Sequence, residues 1–351
     1  MPMMNALVVT APGQIEIRRV PVPTPGPYQA LVKIEACSFC SSTDLKIIDA
    51  TLPFVRDYPC VLGHESVGIV VELGENVRHF AGGQRVIRPV AAYPGERIGD
   101  LASGWGGFAE FGLVTDWRAM VEDLALRADA VNPWFKMHQI VPPEIPAPDA
   151  TMLITLKETL SSLAALGDVS GRSVLIIGDG AVGLCFARWA KLLGAVPVVV
   201  AGHHDSRLDH ARRLGVDLAV NTSGARLSDA LSSAGAPSAG YDFIIDAVGS
   251  GGAIEEAYCI LAGGGRLGVY GVSDHMTAAV DFLRLPVGAA MVRMTTDEPG
   301  VHEQVLSACR LGTIKLNDFY THVLPLERAA EGVDLLRRRA ALKVVLTMTS
   351  D

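Results

Sequence analysis

Positive charge is scarce in this 351-residue sequence, which has 30 lysines and arginines against 38 acidic residues and a formal net charge of −8. The main basic cluster is the short stretch LLRRRAALK near the C-terminus. An acidic chain with so little clustered basic charge repels the phosphate backbone. We therefore expect no nucleic-acid partner.

Long apolar runs, targeting signals and cysteines are also sparse. No apolar run reaches the ~18 residues of a membrane span, and the N-terminal stretch MPMMNALVVTAPG lacks the basic and apolar regions of a signal peptide. The six cysteines, at positions 37, 40, 60, 185, 259 and 309, are too scattered for a secreted disulfide framework. These features predict a cytoplasmic protein with no membrane association.

Two domains are expected, because the chain is too long for one ordinary core. The first predicted domain spans residues 1–152, and up to about residue 115 it reads as short β-strands separated by Gly/Pro turns. Residues 153–294 alternate strand and helix patterns, which predicts an α/β fold with a doubly wound parallel sheet. Residues 295–351 carry two helical patterns and a final strand, LKVVLTM, expected to return to the first domain.

One segment of the first domain, residues 116–138, breaks the β rhythm. The stretch DWRAMVEDLALRADA predicts a short helix over residues 116–130, followed by a loop rich in bulky groups. The aromatic residues Trp117, Trp134 and Phe135, with Met137, suit an apolar wall for a bulky substrate or, equally, a subunit interface.

The stretch GDGAVG follows a buried strand and opens an amphipathic helix. In this context Gly178 permits a tight turn, Gly180 lets a pyrophosphate approach the backbone, and Gly183 lets helix and strand pack closely. The free N–H groups of the helix N-terminus then face the phosphates. We assign the following further residues to this dinucleotide site: Ala181, Val182 and Val248. A glycine-rich turn without a ligand is the alternative.

The end of the next strand indicates which dinucleotide binds. A site for NAD has Asp or Glu there to accept hydrogen bonds from the ribose, but the sequence has Gly202, followed by His203 and, further on, Arg207. Without a carboxylate at this position, a 2′-phosphate is not repelled, and the side chains of His203 and Arg207 can pair with the phosphate. NADP is therefore expected over NAD. In the alternative, Asp205 binds the ribose and the cofactor is NAD.

The motifs GHESVGIVVELGENV, GQRVIRP, GGFAEF, GDGAVG and LKVVLTM occur in this order over nearly the whole chain. The sequence thereby resembles the zinc-containing medium-chain alcohol and polyol dehydrogenases. The resemblance implies a GroES-like, mainly β catalytic domain, a Rossmann cofactor domain, and hydride transfer between an alcohol and a nicotinamide. It also implies a homodimer or homotetramer, with residues 289–296 where members of the family pair strands between subunits.

The resemblance further implies a catalytic zinc with a cysteine, a histidine and a third ligand. Cys40 and His64 match the first two, while Glu158, or Glu65 beside the histidine, is the candidate for the third. The stretch CSSTD is one residue longer than the family pattern, so Ser41 is an alternative to Cys40, but a thiolate is the better zinc ligand.

Three neighbours of these ligands also match family positions. Asp44 corresponds to an aspartate that orients the histidine, and Ser42 or Thr43 to the hydroxyl that relays the substrate proton. Residues 86–135 contain no cysteine, so one catalytic zinc and no structural zinc are expected.

The resulting hypothesis is a zinc-dependent dehydrogenase of secondary alcohols, polyols or sugar-like substrates, interconverting alcohol and ketone. A zinc-free quinone or enoyl reductase of the same fold is the main alternative, and GHE argues against it because a metal-free enzyme has no need for that histidine. A non-catalytic NADP-binding protein is the third possibility.

Overall fold

The computed structural model describes residues 2–52, 55, 57–272 and 276–348. The chain divides into two compact units, one formed by residues 1–154 and 316–351, the other by residues 155–315. Within the described residues, no helix has both the length and the apolar character that crossing a membrane requires.

The first unit contains most of the strands, and its elements up to the second unit are, in chain order, β1 Met3–Ala11, β2 Gln14–Pro21, β3 Gln29–Ser38, α1 Asp44–Ile48, β4 Cys60–Val61, β5 Glu65–Leu73, β6 Arg85–Ile87, β7 Arg97–Ile98, β8 Leu101–Ser103, β9 Phe111–Thr115, α2 Trp117–Leu124, α3 Pro133–Lys136 and β10 Ile140–Val141. Helix α4, Ala147–Leu166, begins in the first unit and continues into the second from Thr155.

The second unit alternates strands and helices, which are β11 Val174–Ile177, α5 Ala181–Leu192, β12 Val198–Gly202, α6 Asp205–Arg213, β13 Leu218–Asn221, α7 Leu227–Ser233, β14 Tyr241–Asp246, α8 Gly251–Ala257, β15 Leu261–Val269, β16 Ala290–Arg293 and α9 His302–Arg310. The chain then returns to the first unit with β17 His322–Pro325, α10 Ala329–Arg337 and β18 Val344–Thr347. Short 3₁₀ turns connect several of these elements, at Ala128–Ala130, Tyr258–Ile260, Pro299–Val301, Leu316–Phe319 and Leu326–Arg328.

The described strands of the first unit form two sheets, ordered β2-β1-β4-β8-β7 and β10-β6-β5-β3-β18-β17, with β9 also paired to β3. Strand β3 is central: it pairs antiparallel with β5, β9 and the final strand β18. Its stretch QALVKIEACS is buried at most positions, and Phe39 just beyond it packs against Phe108, with ring centroids 4.4 Å apart. This core fixes the end of β3, where the candidate metal ligands begin.

The second unit is built on one parallel sheet of order β13-β12-β11-β14-β15-β16. Its central strand β11, with the sequence VLII, is buried throughout, as expected for a parallel strand covered on both faces. From β11 the chain adds β12 and β13 on one side of the sheet and then β14, β15 and β16 on the other side. The strand order therefore reverses between β11 and β14. Ligands of open α/β sheets bind at such a switch point, beyond the carboxyl ends of the strands. The predicted α/β fold with a doubly wound parallel sheet is confirmed.

The segment 116–138 differs from its prediction. Helix α2 ends at Leu124, because Ala125 takes a left-handed conformation with φ 49°. A second helix, α3, begins where the Asn132 side chain accepts a hydrogen bond from the N–H of Trp134, with Pro133 at the first helical position. The continuous helix predicted to residue 130 and the loop predicted after it are therefore wrong, since this cap and proline start a new helix.

Candidate active site

Three potential metal ligands converge in the first unit. The Cys40 thiol, the His64 imidazole and the Glu65 carboxylate each offer an atom within 4.8 Å of the other two. The sheet explains the convergence: Ser38 at the end of β3 is the register partner of Glu65 at the start of β5, so the residues just beyond β3 lie next to those that open β5. Thiol, imidazole and carboxylate are the donors that zinc prefers, so this group fits a zinc ion.

His64 is backed by a buried carboxylate. Asp44, which is 0% exposed, brings Oδ1 to 3.3 Å from His64 Nδ1, although neither atom has an aligned hydrogen bond. The other oxygen of Asp44 accepts the N–H of Cys40 at 2.8 Å. Burial alone lowers the pKa of His64, but the charge of Asp44 and the contacts with Asp44 and Cys40 raise it well above its ordinary value. The pocket therefore favours positive charge at His64, which is the charge that a bound cation supplies.

Glu65 lies in a buried polar network. Its Oε2 accepts a very short hydrogen bond from Ser38 and lies 2.5 Å from the ammonium of Lys343, the residue before β18. Glu65 is 1% exposed and Lys343 is 3% exposed. Burial raises the pKa of Glu65, but the charges of Lys343 and His64, with hydrogen bonds from Lys343 and Ser38, bring it below its ordinary value. Glu65 is thus held as a carboxylate beside the other two ligands.

The predicted relay hydroxyls lie next to Cys40. The Ser42 hydroxyl is 3.3 Å from the Cys40 sulfur, and the thiol donates to the Thr43 hydroxyl at 3.6 Å. Ser41, the alternative to Cys40, is exposed. The thiol of Cys40, and not the neighbouring hydroxyl, belongs to the metal-binding group described above.

Sequence reasoning missed Trp105, which lies in the stretch GWGG. Its ring centroid is 4.9 Å from that of His64 and 5.6 Å from that of Trp134, and the Arg88 guanidinium lies 5.3 Å from the Trp134 ring. Trp105 has φ 72°, a left-handed conformation uncommon for an aromatic residue. The flanking glycines were the available signal, because they often mark unusual backbone conformations. Trp134, one of the aromatic residues expected to form a wall, therefore lies next to the ring that neighbours the candidate ligand His64.

Glu158, the other candidate for third ligand, lies on α4 in the second unit. Its Oε2 accepts a hydrogen bond from the Tyr270 hydroxyl at 3.2 Å. The group of three ligands in the first unit does not include it. A metal-binding role for Glu158 stays a prediction.

The glycine turn between β11 and α5 has the shape expected of a dinucleotide site. Gly178 has φ 121°, and a β-carbon on Gly183 would lie 2.0 Å from the Gly178 carbonyl oxygen, so both positions require glycine. A β-carbon on Gly180 would meet no atom within 4 Å. The backbone is therefore open at Gly180, which is the N-cap of α5, and a phosphate can approach it there.

The other predicted cofactor residues surround this turn. Ala181 and Val182 form the first turn of α5. The side chain of Val248, half exposed after β14, reaches within 3.1 Å of the point where a β-carbon on Gly178 would lie. These positions fit a ligand that passes over the glycine turn toward the end of β14.

The end of β12, expected to lack an acidic group, lies beside the carboxylate of Asp179. Gly202 carries no side chain, but the carboxylate of Asp179, from the glycine turn, lies against it, and a β-carbon on Gly202 would be 2.5 Å from this carboxylate. Asp179 accepts the N–H of His203 at 2.8 Å, and Arg207 lies 3.8 Å away. The expectation that no carboxylate lies at this strand end is wrong, because the sequence places it on the preceding turn and not on the strand.

Comparison with known proteins covers both units. A family model described as zinc-binding dehydrogenase matches residues 181–296, and one described as alcohol dehydrogenase GroES-like domain matches residues 26–122. A zinc-binding alcohol dehydrogenase of Mycobacterium tuberculosis (strain ATCC 25618 / H37Rv) is 29% identical over 99% of this chain and 89% of its own length. The sorbitol dehydrogenase of Pongo abelii is 25% identical over 97% of this chain and 95% of its own length.

Solved structures share the fold. A zinc-binding dehydrogenase from Sinorhizobium meliloti 1021, bound to NADP, superimposes with a TM-score of 0.80 at 24% identity, covering 99% of this chain and 100% of that one. Because the two chains are only 24% identical, this similarity supports the same fold but does not indicate which cofactor this chain binds.

Proposed function

The chain belongs to the zinc-containing medium-chain dehydrogenase/reductase family, and from this membership we propose how its own residues act. The protein is an oxidoreductase that transfers hydride between a nicotinamide cofactor and an alcohol. We propose a secondary alcohol, polyol or sugar-like substrate and its ketone. The observation that supports this most directly is the convergence of Cys40, His64 and Glu65, with Asp44 buried behind the histidine.

We assign one catalytic zinc per chain to Cys40 and His64, with Glu65 as the acid within reach. When bound, zinc supplies the Lewis acidity that lowers the pKa of an alcohol hydroxyl. Asp44, whose Oδ1 lies 3.3 Å from Nδ1 of His64, is the residue that would orient the imidazole for a bound metal. Ser42 or Thr43, both beside Cys40, passes the substrate proton outward.

We propose that the turn with Gly178, Gly180 and Gly183 holds the pyrophosphate of the cofactor, with Val248 beside it. The prediction of NADP over NAD assumed a strand end without a carboxylate, and Asp179 removes that basis. Residues 1–152 are proposed as the catalytic domain, 153–294 as the cofactor domain, and 295–351 as a C-terminal segment, of which residues 316–351 belong to the first unit.

We propose that the protein is a homodimer or homotetramer. Strand β16 lies at the end of the parallel sheet, within the predicted pairing stretch 289–296. The loop before it exposes three large apolar side chains: Phe282 is 81% exposed, Leu283 97% and Val287 93%. Apolar surface of this kind next to a strand edge is suited to a second copy of the chain. A cytoplasmic location is proposed from the sequence.

A panel of polyols, secondary alcohols and ketones, assayed with each cofactor, tests this function. Cys40→Ser should abolish alcohol oxidation, because the hydroxyl is a much poorer zinc ligand than the thiolate. Cys259→Ser, the same change in the second unit, is the matched control and should retain activity. Activity on activated double bonds that survives Cys40→Ser and removal of metal would instead identify a zinc-free reductase.

A further inference from the structure

The acidic side chain at the end of β12 is supplied from an unexpected position. Asp179 lies between the first two glycines of the turn after β11, and it is 6% exposed. Strands β11 and β12 pair in parallel, with Ile177 opposite Ala201, so the turn after one strand lies beside the end of the other. The Asp179 side chain crosses this short distance and ends against Gly202.

Several donors fix the Asp179 carboxylate in this place. Its Oδ2 accepts the backbone N–H groups of His203 and His204, each at 2.8 Å. The Nδ1 of His204 lies 3.0 Å from Oδ2 and 3.1 Å from Oδ1, and the Arg207 guanidinium lies 3.8 Å from Oδ1. His204 and Arg207, two of the basic residues that follow the strand, therefore already lie beside a carboxylate.

Gly202 and Asp179 compete for one volume. A β-carbon on Gly202 would lie 2.5 Å from both the β-carbon and Oδ2 of Asp179, closer than unbonded atoms pack. The glycine at the strand end is thus explained by Asp179, and not by a need to admit a phosphate.

In a doubly wound dinucleotide-binding fold, a carboxylate at this strand end accepts hydrogen bonds from the adenosine ribose and repels a 2′-phosphate. We propose that Asp179 performs this selection from the glycine turn, so that the protein binds NAD in preference to NADP. This inference rests on the proposed dinucleotide site. It assigns the choice of cofactor to a residue outside the strand end.

Asp205 was the other candidate for binding the ribose. It is the exposed first residue of α6, and its Oδ1 accepts a hydrogen bond from the Asn221 amide at 2.7 Å. It therefore holds α6 against the end of β13. Asp205→Asn is a matched control for Asp179→Asn, because both changes remove one charge and keep the size of the side chain.

The test is direct binding of NAD and NADP to the intact protein, by titration calorimetry, with no alcohol present. A charge-assisted hydrogen bond gained or lost changes affinity by about tenfold to a hundredfold. We expect unmodified protein to bind NAD more tightly by that factor, and Asp179→Asn to lose most of the preference. Asp205→Asn should keep it. Circular dichroism verifies that each variant is folded.

A double replacement gives a second, independent readout. Gly202→Asp alone should weaken both cofactors, because two carboxylates then compete for one volume. Asp179→Gly combined with Gly202→Asp moves the carboxylate to the strand and should restore the preference for NAD. Tighter binding of NADP by unmodified protein, or a preference that Asp179→Asn leaves unchanged, overturns the inference while the dinucleotide site stands. Binding of neither cofactor overturns both.

Discussion

Replacing Lys343 by methionine should destabilise the protein far more than a typical lysine substitution. The Lys343 ammonium lies 2.5 Å from Glu65, and both side chains are almost fully buried. Methionine retains the bulk of the lysine stem but leaves a buried carboxylate without its cation. Breaking a buried pair in this way costs about 3–5 kcal/mol. For a unit of this size each kcal/mol lowers Tm by about 2–4 °C, so Tm should fall by roughly 6–20 °C.

The assay is differential scanning calorimetry of the metal-free protein, with a surface pair as control. Lys191 lies 2.9 Å from Asp217, but the two side chains are 23% and 37% exposed. Since exposed pairs contribute about 0–1 kcal/mol, Lys191→Met should change Tm little. Combining Lys343→Met with Glu65→Gln removes the orphaned charge and should recover part of the loss. Equal Tm values for Lys343→Met and Lys191→Met would refute the reasoning.

The pH dependence of this difference has a definite sign. Because the pKa of Glu65 is lowered on folding, the pair stabilises the protein fully above the ordinary value of 4.5. That stabilisation is lost as the pH falls through the lower pKa of the folded state. The gap in Tm between unmodified protein and Lys343→Met should therefore narrow in acid, and a gap that widens would contradict the assignment.

Three further predictions concern the relay, the glycine turn and the subunit contact. Of Ser42→Ala and Thr43→Ala, the change that removes the relay should lower turnover by about 10²-fold, and unchanged rates in both would exclude the relay. Gly180→Ala should leave Tm unchanged but weaken dinucleotide binding, because the added methyl group enters only the space left for phosphate. Gly183→Ala should lower Tm as well, since its methyl group would lie 2.0 Å from the backbone. Calorimetry distinguishes the two variants, and identical behaviour would contradict the described turn. Leu283→Asp should produce monomers in size-exclusion chromatography with light scattering, because its 97% exposed side chain lies in the proposed contact; an unchanged mass would place the contact elsewhere.

The sequence predicted those features whose partners lie close together along the chain. A buried strand followed by GDGAVG predicts a tight turn and a helix, because the turn and the close packing of helix and strand need residues without a side chain. Cys40 and His64 could be named because each lies within a short motif that resembles one of the zinc-containing medium-chain dehydrogenases. The alternation of strands and helices was enough to predict the parallel sheet.

Features that depend on strand register could not be predicted in this way. Asp179 reaches Gly202 only because β11 and β12 lie side by side, and the sequence gives no sign that a residue of the turn fills the strand end. Lys343 reaches Glu65 because β18 and β5 both pair with β3, although the two residues belong to the two separate stretches of sequence that form the first unit. The left-handed conformation of Trp105, with φ 72°, was missed although its flanking glycines were a local signal for it.

The metal content of the purified protein tests the central claim most directly. Elemental analysis of protein purified without chelators should give one zinc per chain, since Cys40, His64 and Glu65 form one group of zinc donors. Cys40→Ser should reduce the zinc content severalfold or more, and Cys259→Ser should leave it at one. Protein that contains no zinc and cannot be reconstituted with it, or zinc that Cys40→Ser leaves in place, would contradict the account.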